Sequence, residues 1–92
     1  MTWLVVYDIG DDGIRGRVAK LCERYGERVQ ESVFECRLDV PGVARLKKEL
    51  PLALGAPTAG NIRLYRVCQN CLDESFGFGN LRSAGRGPYL IV

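Results

Sequence analysis

A chain of 92 residues can close one modest core and no second one, so residues 1–92 are expected to form a single domain, with 75–92 as a C-terminal extension. Its 47% hydrophobic and 26% charged residues exclude a disordered or fibrous chain. A net charge of +2 does not by itself announce a nucleic-acid partner, so any such contact must follow from where the charges lie.

The first element is expected over Trp3 to Ile9, a run of β-branched and aromatic residues without polar alternation before Asp8. A strand of that pattern is covered on both faces. The run stops far short of the roughly 20 apolar residues that cross a bilayer, and it is not expected to be a leader, because it has no positive n-region and no small-residue cleavage site. A cytoplasmic protein with no membrane association is the expectation. Asp11 or Asp12 caps a helix from about Gly13 to Tyr25, with Ile14, Val18, Leu21, Cys22 and Tyr25 at helical spacing and Gly26 as its stop.

Arg28 to Leu38 is rich in strand formers, and Gln30-Glu31-Ser32 turns or bulges it into a short strand and a longer one. A second helix starts after Asp39, with Pro41 in its first turn, a buried stripe of Val43, Leu46 and Leu50, and Pro51 or Gly55 as its end. Asn61 to Cys68 is the next strand, and short strand-like pieces follow at Glu74 to Phe78 and Pro88 to Val92. Cys22 and Cys36 fall where a helix and a strand want small apolar residues. Cys68 and Cys71 raise a zinc site or a redox pair, but four ligands are lacking and no helical periodicity follows the motif, which favours spectator thiols.

Strand, helix, two strands, helix, strand is the ferredoxin-like α+β order, in which two helices pack on one face of an antiparallel sheet. Strand one is apolar on both faces, so the open face needs a further cover. A homodimer packing two sheets face to face supplies it, with the C-terminal segment adding to the partner's sheet edge.

Val-Val-Tyr-Asp-Ile followed by Asp-Asp, then Arg-x-Arg-Val-Ala-Lys, then Arg-Val-Gln-x-Ser-Val-Phe-Glu, resembles the CRISPR-associated protein 2 family over residues 3–72. The resemblance implies a ferredoxin-like homodimer that takes part in spacer acquisition, bridges dimers of the CRISPR integrase (CRISPR-associated protein 1) and supports duplex DNA. It also implies divalent-metal-dependent phosphodiesterase activity on DNA or single-stranded RNA. Asp8 matches the family's metal-binding and catalytic aspartate, with magnesium as the expected ion and one carboxylate from each protomer. Magnesium keeps several waters and accepts one or two carboxylates plus phosphate oxygens. From spacing alone, Asp8 reads equally well as a strand-end residue capping the next turn.

By the same motifs Tyr7, Arg15, Arg17, Arg28 and Phe34 match positions associated with nuclease activity or nucleic-acid contact. Arginine suits phosphates because its planar fork bonds two oxygens at once. The alternative for Tyr7 and Phe34 is core or interface packing, and for the arginines a solvated surface. Three readings therefore stand: a magnesium-dependent endonuclease, a catalytically inert scaffold, and a small ferredoxin-like binding module.

Overall fold

The computed structural model describes residues 1–79. Strand β1 (Thr2–Ile9) leads into helix α1 (Asp12–Glu23), strands β2 (Gly26–Gln30) and β3 (Val33–Arg37), helix α2 (Val40–Leu54), a 3-10 turn (Pro57–Ala59), strand β4 (Gly60–Val67) and a short helix α3 (Gln69–Asp73). The sheet runs β2-β3-β1-β4 with every neighbouring pair antiparallel, which is the ferredoxin-like arrangement.

Alternation along β1 sends Val5, Tyr7 and Ile9 toward the helices, where they meet Val18, Leu21 and Cys22 of α1 and Leu46 and Leu50 of α2. Phe34 and Cys36 of β3 join the same core and are fully buried. Each large side chain removed from water in this way stabilises the fold by roughly 1.5–3 kcal/mol. The other face of β1 carries Leu4 and Val6, both half-buried although no helix of the α1/α2 layer covers them. Glu35 lies on that face at 3% exposure, in register with Leu4 and Glu27.

Both long helices begin on a side-chain cap. The Asp11 carboxylate accepts from the Ile14 N–H at 2.9 Å, and Asp39 accepts from the Gly42 N–H at 2.8 Å. Helix α1 ends at Glu23, two residues before the expected Tyr25, and Gly26 opens β2 instead of stopping the helix. Close packing explains that glycine: a Cβ there would lie 2.2 Å from the Glu35 carbonyl oxygen on β3. Of the two expected ends of α2, Gly55 is the real one, with a φ of +88°, and Pro51 is carried inside the helix.

Two further expectations are corrected. Cys68 does not lead into irregular chain; it caps α3, because its Sγ accepts the Cys71 N–H at 3.3 Å and replaces a missing backbone partner. Glu74 to Phe78 forms no regular strand: Glu74 closes α3, its N–H donating to the Asn70 carbonyl at 3.2 Å, and the piece is reduced to a single β-bridge at Gly77. The piece expected at Pro88 to Val92 lies outside the described residues. Among the described residues no helix is long and apolar enough to cross a membrane.

Candidate active site at the end of strand β1

Strand β1 outruns β3. Pairing between them stops at Val6 with Val33, whereas β1 continues beside β4 to Ile9. The unmatched end of β1, the first turns of α1 and the β2–β3 turn enclose an open cleft of about 530 Å³ lined by Tyr7, Asp8, Asp12, Arg15, Arg28 and Ser32, among others. Asp8 is exposed at its mouth, in register with Asn61. On the far side Gly60 lets β4 close in: it has a φ of +151°, and a Cβ on it would stand 2.4 Å from the Asp8 carbonyl oxygen.

The cleft wall is fastened from below. The Tyr7 N–H donates to the Ser32 carbonyl at 3.0 Å, and the Tyr7 hydroxyl donates to the Glu31 carbonyl at 3.4 Å. Arg28 donates to that same Glu31 carbonyl. Its guanidinium sits over the Phe34 ring, 4.9 Å from the centroid, and Phe34 in turn stacks on Tyr7 with centroids 6.3 Å apart. Phe34 itself is wholly buried, so its contribution to the cleft passes through Arg28 and Tyr7. Burial pushes the Tyr7 phenol above its ordinary value, with Arg28 pulling the other way. Tyr7 therefore stays a neutral hydrogen-bond donor at neutral pH.

Arg15 and Arg17 part company. One Nη of Arg15 donates to the carbonyls of Ile9 (2.9 Å) and Gly10 (3.3 Å), and the other reaches the Asp12 carboxylate, which holds the β1–α1 loop beside Asp8. Arg17 points to the other side of α1, where its Nε donates to the Ala53 carbonyl near the end of α2 at 2.8 Å. Tyr7, Asp8, Arg15 and Arg28 are thus brought together, Phe34 supports them, and Arg17 lies away from the cleft.

The donors available to a cation are oxygens. Asp8 offers one exposed carboxylate, and among the described residues no group of three or more His, Cys, Asp or Glu converges. Such a set fits magnesium, which retains water and needs few carboxylates, better than a soft metal that wants thiolate or imidazole. Motif reading missed Ser32, the Glu31 carbonyl and Gly60. The glycine had a visible signal, standing immediately before the expected strand at Asn61, whereas the two turn carbonyls have none.

A four-stranded antiparallel sheet with two helices on one face and an arginine-flanked aspartate at the end of its first strand defines a small ferredoxin-like protein with an acidic strand-end cleft. The family model for CRISPR associated protein Cas2 matches residues 1–75. The chain is 40% identical over 93 aligned positions to the CRISPR-associated endoribonuclease Cas2 1 of Chloroflexus aurantiacus, covering 99% of this chain and 100% of that protein. Cas2 of Streptococcus pyogenes, solved at pH 6.5, superposes with a TM-score of 0.68 at 37% identity, covering 76% of this chain and 89% of that one. A chain of a partial Cas6-RT-Cas1–Cas2 complex gives a TM-score of 0.68 at 29% identity, covering 80% and 86%. The protein belongs to the CRISPR associated protein Cas2 family.

Proposed function

We propose that this protein works in CRISPR adaptation in the cytoplasm, as a homodimeric DNA-binding scaffold that bridges the integrase, CRISPR-associated protein 1, and that it is also a magnesium-dependent endonuclease acting on RNA or DNA through Asp8. The observation that carries the nuclease reading is the exposed Asp8 carboxylate in one cleft with Arg15, Arg28 and the neutral Tyr7 hydroxyl. The relative from Chloroflexus aurantiacus bears the name endoribonuclease, and the structural neighbour from the partial complex sits with Cas1, which supports both halves of the reading.

Asp8 would hold the ion, which when bound supplies positive charge for a scissile phosphate and acidifies water. Arg28, held on the Phe34 ring, presents its fork to phosphate oxygens, and Arg15 fixes the loop that carries Asp8. With no histidine in the chain, the attacking hydroxyl loses its proton to a carboxylate or to solvent. The half-buried Leu4, Val6 and Val33 on the face away from α1 and α2 support a sheet-to-sheet homodimer, which would bring two Asp8 carboxylates into one assembly. A monomer at micromolar concentration by light scattering would remove that part.

The test is cleavage of labelled single-stranded RNA and duplex DNA by the purified protein, with magnesium or with chelator, comparing wild type with Asp8→Asn. Cleavage that needs both the metal and Asp8 is the expected result. Equal traces of activity in wild type and variant would leave the integrase-bridging scaffold without a nuclease function, the reading that the neighbouring Cas1–Cas2 assembly favours on its own.

A further inference from the structure

The four cysteines divide into two kinds. Cys22 and Cys36 are fully buried, and burial pushes their thiols up to about 12 and about 11, so they stay protonated and out of reach of reagents. Cys68 and Cys71 are both exposed, and they stand together where the chain leaves β4 and turns into α3. The Cys71 N–H donates to the Cys68 sulfur at 3.3 Å, which ties the two residues together across the first turn of α3. Residues three apart at a helix turn are neighbours, so closing these sulfurs to the roughly 2.05 Å of a disulfide asks for a side-chain rotation and no rearrangement of the sheet.

We propose that Cys68 and Cys71 form a redox-active dithiol that closes to an intramolecular disulfide by exchange with a low-molecular-weight disulfide such as oxidised glutathione. The two sulfurs have different parts. Hydrogen bonds from the Cys71 thiol and from backbone N–H groups hold the Cys68 thiol below its ordinary value, while the Cys71 thiol is held above, because it donates to Cys68 and faces its charge. Cys68 as thiolate attacks one sulfur of the oxidant, forming a mixed disulfide and expelling one thiolate. Cys71 then gives up its proton and attacks the Cys68 sulfur, expelling the second thiolate. The protein dithiol loses two electrons and two protons, and one small disulfide becomes two thiols. A zinc ion would need two more ligands beside this pair, and among the described residues no group of three His, Cys, Asp or Glu supplies even one.

The position gives the reaction a structural consequence. Cys68 is the N-cap of α3, and Leu72 in that helix is 5% exposed, so the pair controls how the chain after β4 is anchored. Closure replaces a hydrogen-bonded cap by a covalent one, and reduction restores it. None of this depends on whether the Asp8 cleft cuts nucleic acid.

The experiment is intact-mass analysis of the folded protein before and after oxidised glutathione, with native alkylation to count reactive thiols. The expected wild type alkylates at Cys68 and Cys71 only. After oxidation it loses the mass of two hydrogens, resists alkylation, and yields a Cys68–Cys71 linked peptide that a reductant opens. Cys71→Ser should trap glutathione on Cys68, and neither Cys71→Ser nor Cys68→Ser should form an intramolecular disulfide. Stable glutathione adducts on the wild type, disulfide bonds only between chains, or zinc released on oxidation would each overturn the proposal. Protection of Cys22 and Cys36 from alkylation in every variant reports that the fold is intact.

Discussion

Phe34→Leu should weaken nucleic-acid handling without Phe34 touching the nucleic acid. The ring is fully buried, stacks on Tyr7 at 6.3 Å and carries the Arg28 guanidinium at 4.9 Å. Leucine keeps an apolar side chain in the core and removes both ring contacts. The aromatic pair contributes about 0.5–1.5 kcal/mol beyond its buried area. The cation–π contact adds about 0.5–1 kcal/mol for a partly exposed arginine. The two ring contacts together account for about 1–2.5 kcal/mol, to which the smaller side chain adds its lost burial and cavity, a total that a domain stable by roughly 5–15 kcal/mol survives. Urea unfolding of wild type, Phe34→Leu, Arg28→Ala and the double variant closes a cycle, with an expected coupling of about 0.5–1 kcal/mol. In filter binding to duplex DNA or RNA, Phe34→Leu should cost about two- to fivefold in affinity, and nothing further once Arg28 is already alanine. Zero coupling in the cycle, or an affinity loss that persists in the Arg28→Ala background, would refute the argument that Phe34 acts by seating Arg28.

Gly60→Ala should destabilise the protein by about 1–3 kcal/mol in urea, because the new Cβ meets the Asp8 carbonyl and the backbone is held at a φ that favours glycine. It should also lower any Asp8-dependent cleavage, since that collision moves the strand end. Arg17→Met should cost about 0.5–1.5 kcal/mol of stability through the lost bond to Ala53 and leave nucleic-acid affinity unchanged, whereas Arg28→Ala lowers affinity and flattens its salt dependence. Alkaline titration should show stability falling as pH rises from about 9 toward about 12. The buried thiols of Cys22 and Cys36 keep their protons to about 12 and about 11, while in the unfolded chain they ionise near the ordinary value of 9.0. The folded state thus holds more protons above that value, and a Cys22→Ala, Cys36→Ala variant should lose part of the decline in stability followed by circular dichroism.

The parts of this molecule legible in its sequence are those fixed by local chemistry or by period. The apolar run from Trp3 forms β1, Asp39 and one of the two aspartates offered for α1, Asp11, cap the helices they precede, and Cys22 and Cys36 fill small apolar positions. What the pattern misassigned depends on partners distant along the chain. Gly26 looks like a helix stop until β3 is laid against it, where only a residue without Cβ fits beside Glu35. Cys68 looks like the end of a strand until its sulfur is seen to accept the Cys71 N–H. The arginines show the same limit at the cleft. Arg15 and Arg17 are two apart, which on a helix puts them on different faces, so one braces the Asp8 loop and the other ties α1 to α2. Their shared motif concealed that division, whereas Arg28, thirteen residues from Arg15 in sequence, joins the cleft because the β2–β3 hairpin folds back over the end of β1. A charge becomes a candidate phosphate ligand here through the carbonyls and rings that hold it still. For Arg28 these are the Glu31 carbonyl and the Phe34 ring, both brought to it by the hairpin that its own strand begins.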